Sequence, residues 1–402
     1  MTEIGRDGYD YRAINELLRG NSAKAFRSGR QQALGEVLLL GATGYLGIHV
    51  FRELLDRTDS RIYCLIRPRE GKSAEERFKE LLRFYFENDF AELFGSRIFL
   101  IEGDATDAKA LEGFRLAGED AAVINCAASV KHFARDNEIE KTNLETVRNL
   151  IHWCLQNNAR LIHVSTESIF GHPSDGVPRD GLVYDEHMLY VGQIYEDNQY
   201  VRSKFLAERL IYEKILNEGL NAKVLRAGNL APRSTDGRFQ INGASNNYMN
   251  TLKGFRTLGM IPYDAAVTST EFSPIDKVAE AVLLLAGTPR ECVCFMMSNN
   301  HRPLMGDVID GMRDYGCSIR NVENDEFAAA LQEALKDPKT CNAMRPFVAY
   351  SLNEEGQASS LGLDDLSVSY TAQILARLGF SWPVCGQEYY HKFLSALHGL
   401  QD

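Results

Sequence analysis

The 402-residue chain contains no uninterrupted apolar run near the roughly 20 residues that a membrane-spanning helix needs, and no positively charged start leading into an apolar core. A cytoplasmic protein with no membrane partner is therefore expected. Positive charge is also in short supply. Lys and Arg number 44 against 55 Asp and Glu, a formal net charge of -11, which argues against a nucleic-acid partner or an anionic membrane surface. Any phosphate-bearing ligand must then be met by a local basic patch. The eight cysteines fall mostly in apolar runs, and Cys292-Val293-Cys294 has neither the spacing nor the second pair of a zinc knuckle. No metal is expected, and buried thiols in a reducing compartment are. What remains is ordinary: 45% hydrophobic and 25% charged residues, in a chain long enough for one large domain or a large and a small one.

The chain is organised around Val37-Leu38-Leu39-Leu40-Gly41-Ala42-Thr43-Gly44-Tyr45-Leu46-Gly47. A continuous apolar run passes into glycines at a spacing of three, and a helical pattern starts before any further polar break. This order reads as a buried parallel strand, a tight turn and a helix whose first N–H groups face the turn, which is the geometry of a pyrophosphate site. Gly41, Thr43, Gly44, Tyr45, Leu46 and Gly47 are its expected contacts.

The next strand is Arg61 to Ile66, and Arg67 lies about twenty residues beyond Gly47, where an acid would hold a ribose hydroxyl and an arginine would hold a 2'-phosphate. The guanidinium favours NADPH over NADH. Lys72 and Arg77 either add charge there or belong to a solvated helix face. A helix is expected over 74–92 and a third strand over Ile98 to Ile101. Asp104, beside Ala105, either accepts from the adenine amino group or caps a turn. A fourth strand, Ala122 to Asn125, ends in small residues, of which Ala127 and Ala128 would let a dinucleotide pass close to the backbone.

A helix around Asn143 to Leu155 leads to a fifth strand, Arg160 to Val164, which ends in Ser165-Thr166-Glu167-Ser168. Polar residues at that strand end face the crevice where open parallel sheets take ligands. Thr166 is the candidate there. After a polar loop over 172–192, Tyr200-Val201-Arg202-Ser203-Lys204 opens a helix through Lys214, and the spacing of four places Tyr200 and Lys204 on one face. A tyrosine is a weak acid, and a neighbouring ammonium is expected to lower its pKa, making a general acid with its tuner.

A sixth strand, Ala222 to Arg226, runs into Gly228 and Asn229, two more candidate cofactor contacts. Strand and helix alternation then weakens. Residues 1–34 are expected to form a linker or strap, with a short helix Tyr11 to Leu18 ended by Gly20-Asn21. Residues 35–234 are expected to form a Rossmann-type, doubly wound parallel α/β domain. Residues 235–402 are expected to form a smaller, mostly helical substrate domain, with 265–298 returning to the first. Asp276 is expected to cap the helix Lys277 to Leu285, and a strand is expected over Cys292 to Met297.

Taken together these residues resemble an extended short-chain dehydrogenase/reductase, and within that superfamily the terminal thioester reductase domain of nonribosomal peptide synthetases, a relative of the reductase domain of carboxylic acid reductases. The glycine turn, Arg67, Ser165-Thr166 and Tyr200-x-x-Ser203-Lys204-x-x-Ala207-Glu208 match the superfamily. Ser273-Pro274-Ile275-Asp276 and Leu378-Gly379-Phe380-Ser381-Trp382-Pro383 narrow it to thioester reductases. Departures occur at Val130-Lys131-His132-Phe133 and Asn143-Leu144-Glu145-Thr146-Val147.

The resemblance implies NADPH-dependent reductive release of a peptidyl or aminoacyl thioester from a phosphopantetheinylated carrier protein, giving an aldehyde. Tyr200 and Thr166 would hold the oxyanion, Tyr200 would give the proton, and Lys204 would contact the nicotinamide ribose. Ser129, His132, Glu167, Phe239, Asn246 and Tyr248 are the candidate substrate contacts. Residues 1–34 show no carrier attachment site, so the carrier is expected as a partner or as an upstream fusion, on a monomeric enzyme. Two other readings use the same turn and Tyr-x-x-x-Lys pair: a nucleotide-sugar epimerase or dehydratase, and a non-catalytic NADP(H)-sensing protein. Arg67 and the full Thr166, Tyr200 and Lys204 set argue against them in turn.

Overall fold

The computed structural model describes residues 3–24, 31–128, 138–173, 183–243, 246–337 and 366–398. Helix α1 (Arg12–Lys24) precedes the first strand, β1 (Glu36–Leu40). Every residue of β1 is buried, as a strand covered on both faces requires. There follow α2 (Tyr45–Arg57), β2 (Arg61–Ile66), α3 (Ala74–Phe86), β3 (Ile98–Glu102), β4 (Ala122–Asn125), α4 (Glu138–Asn157), β5 (Arg160–Thr166), α5 (Gln199–Glu218) and β6 (Ala222–Ala227). Later segments add α6 (Ile275–Ala286), β7 (Cys294–Met297) and α7 (Ser369–Arg377).

The seven strands form one sheet in the order β7-β6-β5-β4-β1-β2-β3. All six pairings are parallel. Leu39 is central, opposite Cys64 of β2 on one side and Ile124 of β4 on the other. From β1 the chain winds one way through β2 and β3, then returns to β4 and winds the other way. Right-handed crossovers in opposite directions place α2 and α4 on opposite faces; α2 packs on α6, and α4 on α5. The β1–β4 junction is the switch point, where the crevice at the strand carboxyl ends opens.

Several ends differ from those expected from sequence. Helix α1 continues through Gly20-Asn21 to Lys24, because burial of Tyr11, Ile14 and Leu18 outweighs the weak local stop. Ser73 and Glu76 form a capping box that starts α3, and Glu87 ends it in the left-handed region with φ 57°. A separate short turn of helix, Ala91–Leu93, follows where one continuous helix was expected. Strand β5 extends to Thr166 through its pairing with β6. Helix α6 begins at Ile275, so Asp276 lies in its first turn and is not its cap.

The chain divides into two compact units, the first comprising Met1–Leu230, Ile275–Ser298 and Ser367–Ser381, the second Ala231–Pro274, Asn299–Leu366 and Trp382–Asp402. The N-terminal segment is thus part of the first unit, as are two returning segments. Within that unit Arg226 of β6 is fully buried and paired with equally buried Glu208 of α5 at 2.8 Å. Nη1 and Nη2 also donate to the carbonyls of Asp185 and Met188, so every nitrogen of an expensive buried charge has a partner. The pair fastens the segment after residue 183 to the sheet.

The second unit contains the helices Asn247–Leu258, Tyr263–Ala266, Met305–Asp314, Asn324–Ala334 and Gln387–His398. A short parallel pair, Met260–Pro262 with Arg320–Val322, accompanies them. Buried Asn299 ties its loops together: the backbone N–H donates to Glu271 at 3.1 Å and to Ser273 at 2.9 Å, and the side-chain amide donates to the carbonyls of Phe272 and Pro383.

Candidate functional site

The glycine turn is built from backbone. Gly41 has φ +77°, and a Cβ there would lie 2.7 Å from the Ala127 nitrogen. At Gly47 a Cβ would lie 2.0 Å from the Gly41 carbonyl oxygen. Both positions exclude any side chain without moving main chain. Gly44 caps α2 without a side-chain hydrogen bond, which leaves the helix start to a ligand. Thr43 is half-buried beside it, and Leu46 is packed into the core. Tyr45 meets His49 edge-on, with ring centroids 5.3 Å apart. The arrangement fits a pyrophosphate placed over the turn at the positive end of α2.

At the ends of β2 and β3, the Arg67 side chain is 61% exposed and its Nε lies 3.2 Å from the Asp104 carboxylate. Arg77 donates from Nη1 to the Arg67 carbonyl at 2.7 Å, which fixes the strand end and sets a second guanidinium nearby. Lys72 is drawn off into a pair with Glu80. Asp104 also accepts from the Thr106 backbone and hydroxyl, so it caps a turn while it pairs with Arg67. The Ala105 carbonyl accepts from Asn149 of α4 at 2.9 Å. Beyond β4, the Ala127 N–H donates to Asn125 Oδ1, and Ala128 is exposed. The N–H of Gly228, past β6, donates to the Met297 carbonyl at 3.2 Å, with Asn229 exposed next to it.

The chemistry-bearing side chains meet where β5 faces the start of α5. Asn198 caps this helix, its side chain accepting from the N–H groups of Tyr200 and Val201. Thr166, the last residue of β5, accepts from the Ser168 N–H at 3.2 Å and hydrogen-bonds Tyr200. Burial pushes the Tyr200 phenol up to about 12, and the Thr166 bond acts in the opposite direction. Lys204 is buried and donates from Nζ to the Val164 carbonyl at 2.8 Å. Burial brings its ammonium down to about 8, against the attraction of Glu208.

This corrects the expected tuning. The lysine does not hold the tyrosine pKa down here, because its ammonium is turned to a strand carbonyl and desolvation dominates both groups.

The substrate candidates fall in different segments of the chain. Glu167 is buried directly after Thr166, whereas Ser129 and His132 lie outside the described residues. Phe239, Asn246 and Tyr248 belong to the second unit. There Asn246 caps the helix Asn247–Leu258 by accepting from the Met249 N–H. Phe239 is buried, and the Tyr248 hydroxyl accepts from Thr270 at 3.2 Å. Sequence reasoning missed the supports of the pair: Asn143 donates to the Ser203 hydroxyl at 2.9 Å, and that hydroxyl donates to the Tyr200 carbonyl at 2.7 Å. The asparagine two residues before Tyr200 was a readable cap signal; the Asn143 contact spans sixty residues and was not readable.

A fully parallel sheet with a glycine-only turn at its switch point defines a nicotinamide-dinucleotide-binding fold of the extended short-chain dehydrogenase/reductase kind. Residues 39–282 match the family of male sterility proteins. The structure of a thiolation-reductase di-domain from an archaeal nonribosomal peptide synthetase is 34% identical with a TM-score of 0.86, the match covering 98% of this chain and 81% of that one. The reductase domain of the aureusimine biosynthetic cluster shares the fold at 22% identity and a TM-score of 0.80, over 100% of both chains. A subunit of linear gramicidin synthase from Brevibacillus parabrevis is 25% identical over 367 residues, 89% of this chain but 7% of that protein. The chain therefore spans only a small part of that curated relative. It belongs to the male sterility protein family and, within it, to the terminal reductase domains of nonribosomal peptide synthetases.

Proposed function

We propose that the protein uses NADPH to release a peptidyl or aminoacyl group from a carrier-protein thioester as an aldehyde. The observation that carries this reading is the meeting of Thr166, Tyr200 and Lys204 at the end of β5, in a sheet whose switch point carries the glycine turn. The residues present fit the dinucleotide: the turn rejects a Cβ at Gly41 and Gly47, and the Arg67 guanidinium is exposed at the end of β2. Gly41, Thr43, Gly44, Tyr45, Leu46 and Gly47 would hold the pyrophosphate. Arg67 and Arg77 would meet the 2'-phosphate. Asp104, Ala105, Ala127, Ala128, Gly228 and Asn229 would border the remainder.

Bound NADPH supplies a hydride to the thioester carbonyl carbon. Thr166 and Tyr200 hydrogen-bond the developing oxyanion, and Tyr200 gives it a proton. A phenol held near 12 stays protonated across neutral pH, so it enters the reaction as a donor. Lys204 is assigned to the nicotinamide ribose and to restoring the Tyr200 proton. The resulting thiohemiacetal then collapses: its hydroxyl gives up its proton as the carbonyl forms, the C–S bond breaks, the sulfur takes a proton, and aldehyde and free carrier thiol leave. The substrate partner is a phosphopantetheinylated carrier, fused or separate, in keeping with the thiolation domain joined to the reductase in the archaeal relative.

The seven described cysteines are free, and no helix among the described residues is long and apolar enough to cross a membrane. A reducing, cytoplasmic setting suits both. Turnover of one acyl group presented on a carrier and on a short free thiol tests the partner reading. A higher kcat/KM for the carrier is expected, because remote binding energy orients the thioester. Equal values would point to a free-standing acyl thioester reductase.

A further inference from the structure

The N-terminal strap is fastened to the elements that carry Tyr200 and Lys204. Asn15 of α1 is fully buried. Its side-chain amide donates to the Tyr190 carbonyl at 2.8 Å, and its Oδ1 accepts from the Leu189 N–H at 2.9 Å. One side chain thus satisfies two backbone groups of a segment that lies outside the sheet. The Gln193 side chain closes the same segment on itself, accepting from Val191 and donating to Leu189.

The clasped segment continues into α5. Tyr195 stacks on Phe205, ring centroids 3.7 Å apart and planes within 13°. Phe205 directly follows Lys204. Tyr11 of the strap packs against Tyr190 at 4.7 Å and Phe205 at 5.7 Å, and its hydroxyl lies 3.5 Å from that of Tyr195. Arg209, further along α5, donates to Asp7 at 2.8 Å and to the Tyr11 hydroxyl at 3.2 Å. The strap therefore grips the catalytic helix and the segment leading into it.

We propose that α1, acting through Asn15, is a positioning element for the Tyr200–Lys204 pair, so that the enzyme's turnover depends on a residue that touches neither cofactor nor substrate. The proposal rests on the assignment of Tyr200 and Lys204 made above. Its logic is that a phenol must be held within a fraction of an ångström of the oxygen it protonates. The Asn15 clasp sets the path of residues 189–195, and the Tyr195–Phe205 stack passes that path to the turn of helix bearing Lys204.

The test uses the full chain with Asn15→Ala and Asn15→Asp, assayed at a temperature where each is folded by circular dichroism. Removing the clasp is expected to lower kcat about tenfold while KM for NADPH stays within about twofold, since the glycine turn is untouched. Asn15→Asp keeps the shape and the acceptor for Leu189 but loses the donor bonds to the Tyr190 carbonyl and to Glu3 Oε1 and sets a carboxylate against that of Glu3, so its kcat is expected to fall at least as far as that of Asn15→Ala. Should Asn15→Ala not fold, a reduced kcat in folded Asn15→Asp carries the same expectation. Either folded variant with wild-type kcat, or with kcat unchanged and KM raised, overturns the proposal. Tyr200→Phe is run alongside: near-normal turnover there would refute the site assignment itself, a failure distinct from that of the clasp.

Discussion

The two ends of the site are built differently. Around Gly41 and Gly47 the protein presents main chain, and an added methyl would strike a backbone atom at 2.7 Å or less. Around Tyr200 and Lys204 it presents side chains whose protonation is set by burial, the phenol pushed up to about 12 and the ammonium down to about 8. The first end tolerates almost no change of shape. The second depends on the protonation of two buried side chains, so substitutions at the two ends should fail in different measurements.

The largest separation is expected from Tyr200→Phe, which keeps the ring and deletes the proton donor. Thioester reduction should fall by roughly two to four orders of magnitude with NADPH affinity unchanged. Parallel titration and turnover measurements check this, and a matching loss of cofactor binding would erase the distinction between the ends. Arg67→Ala comes next. Loss of a charge-assisted contact of about 1.5–3 kcal/mol should weaken NADPH roughly tenfold to a hundredfold and leave NADH nearly unchanged. Equal loss for both cofactors would move the phosphate contact elsewhere.

Gly47→Ala sharpens the steric side. The new methyl cannot be absorbed by a flexible side chain, so folding stability should drop by about 1–3 kcal/mol, with cofactor affinity following it down. Chemical denaturation with and without NADPH reads both effects. The smallest expected effect is a pH dependence. Between about 8 and the ordinary lysine value, the unfolded chain binds a proton at Lys204 that the folded chain does not, so this group makes stability rise with pH across that window. Lys204→Met should remove that rise; denaturation curves at several alkaline pH values would show it, and an identical slope in the variant would contradict a depressed lysine pKa.

This contrast also explains what was legible in the sequence. The strand-turn-helix at β1 is local, so three glycines after an apolar run announced both fold and ligand class, and the parallel strands followed from their apolar runs. The Tyr200–Lys204 spacing was equally local. Their electrostatics were not: the sequence pattern suggested a lysine lowering a tyrosine pKa, and only the packing shows Lys204 turned to the Val164 carbonyl and the phenol raised by burial. The support of Tyr200 by Asn143 and Ser203, and the grip of Asn15 on residues 189–190, join segments distant in sequence and leave no periodic trace. Asn246, a substrate candidate from the sequence, also caps its own helix by accepting from the Met249 N–H, a local bond the sequence reading did not assign to it.

The most direct test of the central claim is to count NADPH oxidised per carrier thiol released, with a loaded carrier and a trap for carbonyl products. One NADPH per thiol, with trapped aldehyde, is the result expected of two-electron reductive release. Thiol release without NADPH oxidation would contradict the account outright, and two NADPH per thiol with alcohol in the products would contradict release at the aldehyde.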